Sequence, residues 1–565
     1  MAGLAPIAPA LLLLGQVNLP GTQPNELAIP PEPTSTCSCH DGYDPEIIEP
    51  GQSYRATLMA LSARDPVFRA AFQVARQDRP NLTELCLRCH APSGWLNARS
   101  EGELDVLTND DLESVTCDVC HRMVPASPLL IGSGQYTVSP NTAKRARRGV
   151  GPVGGHNVVQ SDYQGSSEMC GVCHSLFNPA ERAHGAEAQQ LEGYYYEQRT
   201  YEEWRDSVFF EQNMQCIDCH MKRVTGAAAR DDEVYSDLAS HTIVGSNDFA
   251  VKAVRLLNPT LPIGIEAAHV SDAVEEHLHR AAELQIRSAP VETESGASYE
   301  VEVRLTNKTG HKLPTGYPEG RRVYLEVSLQ LDGQASVILT GAWNQESGTL
   351  VQDPQLRTYE TQHGRVENGV GMRNRHLILM NQILTDTRIP PEGFVPDHDD
   401  MIPAGRDYGS VPPYRHWDDV VFTFVAPEVS ATTTGTITVR AMHQTMDGDV
   451  IRFLTETAVG TAEAEQLQEA WDTLGHAPPK QMTRASVGIS VAPAPPPPDA
   501  GVVVADAGLI DTGVVGKPVE GGCQAVSGGA GSAAAAVAVI LAGLRGRGRR
   551  GARRRSGRAG SSSRS

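Results

Sequence analysis

Four short segments share one spacing: Cys86-Leu-Arg-Cys89-His90, Cys117-Asp-Val-Cys120-His121, Cys170-Gly-Val-Cys173-His174 and Cys216-Ile-Asp-Cys219-His220. On a helical turn residues i and i+3 share a face, so both thiols of a segment can reach the two vinyl groups of one porphyrin. The next residue then stands over the ring, where its imidazole binds iron. Each segment thus offers two thioether attachments and one axial ligand for covalent haem. Zinc ribbons use two Cys pairs per metal and have no need of His directly after each pair. A redox-active disulfide has no reason to recur four times. The spacing therefore implies four haem c groups on these eight cysteines, with His90, His121, His174 and His220 as proximal iron ligands.

A fifth segment, Thr36-Cys37-Ser38-Cys39-His40, is one residue short: Cys39 and His40 keep the register, while Thr36 stands where the first thiol belongs. It is read as a fifth haem site held through Cys39, with Cys37 as a displaced second thiol and His40 as ligand. The alternative is a degenerate motif that holds no haem and leaves a local Cys pair. Electron-transfer iron takes a second axial ligand, and two histidines give a lower potential than His with Met. Of the thirteen other histidines, His156 and His241 lie in the motif region, His311 ends a predicted strand, and His184 is a weaker candidate. Each is weighed against an ordinary hydrogen-bonding role; His311 in particular could do no more than cap its turn. Met59 and Met169 are thioether candidates weighed against packing.

These residues need positioning. Residues 34–258 hold the motifs, with helical apolar spacing over Ala56 to Ala75 and Tyr201 to Phe210 and a loop at Gly149 to Gly155. A helix is expected over Ser271 to Ile286. From about Ser298 the pattern turns to alternation: Tyr299 to Leu305, Val323 to Leu331, Ser336 to Thr340, Val420 to Val425 and Thr436 to Met442 read as strands. The expected fold is a mainly α-helical or irregular haem-cored domain followed by a second domain at 259–480, a helix plus a β-sandwich-like module. A helix around Ala462 to Leu474 is expected as its last ordered piece. A Pro/Ala/Gly/Asp-rich linker is placed at 487–522.

Aromatic residues are only 5% of the chain, thin for large conventional cores, and porphyrins would supply the missing flat apolar surface. The net charge is −20, although the last 21 residues carry nine Arg and no acidic residue. Such an acidic body argues against nucleic acid and favours basic or metal-bearing partners. Residues 1–21 resemble the apolar part of a signal peptide without the preceding basic residues, weighed against a Pro-rich arm. At the other end, Gln524 to Leu544 are uncharged and long enough to cross a bilayer, and the Arg cluster that follows would hold the cytoplasmic side; the competing reading is an Ala-rich disordered tail.

Two resemblances follow. The region from Cys37 to about Leu257 resembles the cytochrome c-554-like multihaem family, through Cys-Leu-Arg-Cys-His-Ala-Pro, Val-Thr-Cys-Asp-Val-Cys-His and Cys-Ile-Asp-Cys-His-Met. Thr309-Gly-His-Lys-Leu-Pro-Thr-Gly316 and Arg388-Ile-Pro-Pro-Glu-Gly-Phe394 resemble the β-module often fused to it. The likeness implies closely packed, mostly bis-histidine haems that relay electrons to redox partners. Linker, Cys523, apolar span and Arg cluster over 523–565 resemble a MYXO-CTERM sorting tag. That implies processing near Cys523, lipidation there, and an exported protein tethered to the membrane and facing the periplasm or cell surface. An electron carrier is the leading expectation. A haem enzyme of nitrogen-oxide or hydroxylamine chemistry at an open iron, and a self-associating subunit of a haem conduit or filament, are the alternatives.

Overall fold

Alternating side chains over residues 298–307 bury Tyr299, Val301, Val303 and Leu305 on one face of a strand, and the computed structural model shows what they meet. Described are residues 19–44, 46–100, 103–183, 193–317 and 319–496. They belong to one unit, 1–496; a second unit, 497–565, lies wholly outside the described residues. The strand Ser298–Asn307 is the middle of a three-stranded antiparallel sheet between Ala282–Ser288 and Trp417–Val425. A second sheet runs in the order Glu292–Glu294, Lys480–Ala492, Thr433–Gln444, Arg322–Leu331 and Val337–Thr340, with Arg357–Tyr359 also paired to Arg322–Leu331. Val301, Val303, Leu305, Phe422 and Phe424 of one sheet share a core with Val323, Leu325, Val327, Ile437, Val439 and Ile489 of the other. This is a β-sandwich, as the alternation implied.

The expected strands all form, four with longer limits and Ser336 to Thr340 shortened to Val337–Thr340. Gly149 to Gly155, expected as loop, holds the short strand Gly151–Val153, and two further expectations need correcting. The helix set at Ser271 to Ile286 spans Gly264–Arg280 instead, and the chain then enters the strand Ala282–Ser288. Leu284 and Ile286, taken as the helix's last apolar positions, are strand residues, because period two and period four coincide over so short a stretch. The helix Ala462–Thr473 is not the last ordered piece. The strand Lys480–Ala492 follows it, past the boundary set at 480 and into the linker set at 487. Its Gln, Thr, Arg and Ser positions point outward from the sheet and mask the apolar alternation of Met482, Ile489 and Val491.

The motif region is mainly short helices joined by hairpins such as Arg223–Ala227 with Val234–Ala239. Pro66–Asp78 starts with Asp65 capping Val67 N and Pro66 in the first turn. Its Ala70 and Val74 share a core with Phe249, Val450, Leu467 and Trp471, so chain from both sides of the expected boundary at 258 is packed together. Among the described residues no helix is long and apolar enough to cross a membrane; Gln524 to Leu544, Cys523 and residues 1–18 lie outside them.

Candidate functional site

Three full motifs lie on the short helices Glu84–His90, Cys117–Arg122 and Cys216–His220, and the remaining one begins at the end of Ser167–Gly171; the local sequence caps two of these helices. Thr116 caps Cys117–Arg122 by accepting from Val119 N. Gln215 and Asp218 form a capping box on Cys216–His220, with Gln215 N donating to Asp218 Oδ2 at 2.9 Å. The residues between the cysteines therefore do structural work. Asp118 is buried between Arg122, 3.1 Å away, and Lys144, and accepts from Glu32 N. Arg88 is buried and donates to Gly134 O and Pro20 O. Gly134 has φ +67°, and a Cβ there would meet Arg88 Cβ at 2.8 Å and Cys89 Sγ at 3.3 Å.

All ten cysteines from Cys37 to Cys219, and the histidines that follow each pair, line one connected cavity of about 2010 Å³. Apolar side chains such as Leu58, Phe68, Phe72 and Val172 form much of its wall. The chemistry of the wall suits a large, mostly apolar group.

The imidazoles say what. His40 faces His156 with ring centroids 6.3 Å apart and planes 21° apart. His121 faces His241 at 6.3 Å and 23°, and His220 faces His311 at 6.3 Å and 30°. Two imidazoles bound end-on to one metal at about 2.0 Å each, with roughly 1.15 Å from nitrogen to ring centre, have centroids about 6.3 Å apart. The three pairs come from distant parts of the chain and agree on one separation. In each, the motif histidine donates Nδ1–H to a backbone carbonyl: His40 to Ala228 O at 2.6 Å, His121 to Arg145 O at 2.7 Å and His220 to Val244 O at 2.7 Å. That bond fixes the tautomer and leaves Nε2 as a lone pair for iron. Burial lowers the pKa of His121, His220, His241 and His311, the last two to about 4, so these rings stay neutral, as ligands must.

His311 is placed by a buried ion network. Lys312 Nζ donates to Asp386 at 2.7 Å and to Met401 O at 2.7 Å; Arg388 pairs with Asp386 at 2.7 Å and Glu203 at 2.9 Å. Glu203 also accepts from Lys312 N and Thr315 Oγ1, and Asn307 Nδ2 donates to His311 O at 2.8 Å. His311 Nδ1 turns back onto Lys312 O at 3.0 Å.

His90 and His174 differ. Among the described residues neither has a second imidazole at this spacing; Phe68 lies flat on His90 with centroids 3.9 Å apart. His184 lies outside the described residues. Met59 lines the cavity, and Met169 packs beside Phe72 and Val172. Three histidines escaped the sequence reading. His277, on Gly264–Arg280, is 4.7 Å from His220, too close for the two to share one iron end-on. His363 and His443 are buried strand residues. Only the neighbouring His279 in Glu-His-Leu-His hinted at the first, and nothing local marked the others.

The motifs touch one another. The Cys89 thiol lies against Cys173, Cys170 against Cys216, and Cys37 against Cys117 rather than beside Cys39 in a shared pair. Within each contact one thiol is held down in pKa by the hydrogen bond and its partner pushed up. Sites 86–90, 170–174 and 216–220 are thus joined in series, and sites 37–40 and 117–121 form a second contact. Among the described residues no three His, Cys, Asp or Glu side chains converge to hold a bare ion. Thiol pairs with an adjacent imidazole, an apolar cavity and facing histidines fit covalent haem.

No family model matches the chain, and no curated protein does. Among solved structures it is similar to a penta-haem cytochrome c552 from Thermochromatium tepidum, at 15% identity and TM-score 0.47, over 78% of this chain and 95% of that one. A β-glucosidase from Listeria innocua matches 37% of this chain and 16% of its own at 12% identity and TM-score 0.14. The sporulation control protein Spo0M of Bacillus subtilis matches 37% and 48% at 8% identity and TM-score 0.12. Likenesses this loose assign nothing by themselves; the motif residues and their geometry carry the functional reading.

Proposed function

We propose that the chain is a multihaem c-type cytochrome whose work is to relay electrons. Four pairs, Cys86/Cys89, Cys117/Cys120, Cys170/Cys173 and Cys216/Cys219, attach haem, and Cys39 attaches a fifth through one thioether. The observation that carries the reading is the common 6.3 Å spacing of His40–His156, His121–His241 and His220–His311. It also supports counting the shortened motif among the haem sites, because His40 has the same carbonyl bond and neighbouring imidazole as its two full-length counterparts. Haem c supplies a one-electron ferric–ferrous couple. The thiols would attach each group, and the neutral imidazoles would bind its iron. Contacting thiols of successive motifs keep the attachment edges adjacent, which favours passage between sites over reaction at one.

Pyridine haemochrome stoichiometry with electron paramagnetic resonance of the oxidised protein tests this. Five haems per chain, with low-spin signals for at least three, are expected. Fewer than four haems, or no bis-histidine signal, would overturn it. A second reading is favoured by His90 and His174, which face no second histidine among the described residues. An iron held on one side only is open to nitrite, hydroxylamine or nitric oxide, and a high-spin signal that nitric oxide converts supports that chemistry. For residues outside the described part, the proposal is export and tethering through 523–565 with redox proteins as partners. A Cys523→Ser variant that fractionates unchanged with membranes counts against attachment at Cys523.

A further inference from the structure

The strand Thr433–Gln444 buries Ile437, Val439 and Ala441 in the core shared by the two sheets, and period two puts His443 next in that row. A valine there would continue the apolar row; an imidazole costs stability unless it is bonded. His443 is 2% exposed, and neither of its ring nitrogens has a partner among the described residues. Val323 is its paired neighbour on Arg322–Leu331. Arg321 stands two residues before Val323, which carries its side chain to the same face, diagonal to His443 and within reach of it. The Arg321 charge acts on His443, and both residues line the large cavity.

Arg321 is held in place by the turn before it. Its Nη1 donates to Thr315 O at 2.8 Å. A Cβ on Gly316 would meet that same nitrogen at 2.5 Å, and this glycine, at φ +88°, leaves the guanidinium its place. Arg321 Nε is buried and unpartnered. No carboxylate lies within 4.0 Å of the guanidinium among the described residues. Asp65, whose charge reaches Arg321, already accepts from Val67 N at 2.9 Å. Lys480, paired with His443 on the next strand, is matched by Asp248 at 3.1 Å. A buried cation without an anion is costly, and so is a buried N–H without an acceptor. Two such donors on one face, one of them charged, suit a small oxyanion. The surrounding wall comes from Pro66–Asp78: Val67 and Ala71 share a core with Tyr317, Met446 and Leu454, and Phe68 of the same helix lies on His90. This stretch therefore adjoins the site of Cys86 and Cys89.

We propose that Arg321 and His443 form a binding site for one oxyanion on this wall, either a propionate of the haem on Cys86 and Cys89 or a small free oxyanion. Arg321 Nε–H and one imidazole N–H donate to its oxygens, and the guanidinium charge offsets that of the anion. Burial, with the Arg321 and Lys480 charges, keeps the His443 ring neutral, so it serves as a single N–H donor. The propionate source rests on the multihaem reading; the free oxyanion does not.

The test is a spectropotentiometric titration of the haem-loaded protein, with and without nitrite as the probe and with the haem count measured on each sample. If a propionate fills the site, nitrite leaves the wild-type spectra unchanged. Arg321→Gln then lowers one potential by about 59 mV, tenfold in a one-electron equilibrium, because a cation beside the haem favours the ferrous form. Arg321→Lys keeps the charge and holds that potential near wild type. If the site takes a free oxyanion, nitrite binds saturably, and Arg321→Gln and His443→Leu each weaken it at least tenfold. His443→Leu removes the N–H and keeps the row apolar; it lowers the same potential in the propionate case and carries the comparison where Arg321→Gln loses haem. A full haem count with every potential unchanged in both variants and no nitrite binding overturns the proposal. So does nitrite binding that both variants leave intact, or a shift as large in Arg321→Lys as in Arg321→Gln, which lost packing would explain. A wild-type count below four haems overturns the multihaem reading instead, and nitrite binding alone then decides the site.

Discussion

Facing imidazoles make residue-scale predictions that differ by site. His156→Ala, His241→Ala and His311→Ala are each expected to keep the haem count and convert one low-spin signal to high-spin. Cys39→Ser is expected to lose one haem of five, while Cys37→Ser keeps all five, since the Cys37 thiol lies against Cys117; haemochrome assay on each checks both. His363 and His443 yield a stability prediction. Burial, aided by Arg388 near the first and by Arg321 and Lys480 near the second, lowers both to about 3. Unfolded histidine titrates at about 6.5, so between there and pH 3 the unfolded chain binds more protons and stability falls with falling pH. Each group contributes up to about 1.4 kcal/mol per pH unit in that window. His363→Gln and His443→Gln should flatten the acid limb of a denaturation-against-pH curve. The motif histidines were legible because spacing alone defines them. Their partners were less so: His156 and His241 were picked by proximity and His311 by its turn. An imidazole's role there depends on contacts about ninety or more residues away.

At the scale of elements, the loop 307–316 earns its rigidity from charges on three separate segments. Lys312 and Asp386 are each 1% exposed, and removing one member of such a pair costs about 3–5 kcal/mol because the other is left buried and unmatched. Lys312→Met should lower the melting temperature and release His311 from its iron, seen as a new high-spin signal. Lys312→Arg retains the charge and is expected to lose less. The strands of the sandwich were legible because half-buried alternation has one meaning. The limits of Gly264–Arg280 and the strand Lys480–Ala492 were not. In the first, helix and strand periods overlap at a junction without Gly or Pro; in the second, the polar face of an edge-side strand resembles linker.

At the scale of the molecule, the motif region is packed around the shared cavity. Protein produced without haem attachment is expected to lose its cooperative thermal transition over that region and to be cut within 34–258 by protease. The sandwich, whose core from Tyr299 to Val491 also takes in Ala56, Leu61, Val244, Val251 and Val254, resists longer. Limited proteolysis of the two preparations checks this. The extent of that shared cavity was not legible, because it is made by long-range packing of short helices. The thiol contacts between motifs have a further consequence, for assembly. Before attachment, a chain that has reached an oxidising compartment carries Cys89 against Cys173 and Cys170 against Cys216. Oxidation there would cross-link neighbouring motifs and block two sites at once. On the proposed export and haem attachment, attachment must therefore outpace oxidation at these thiols.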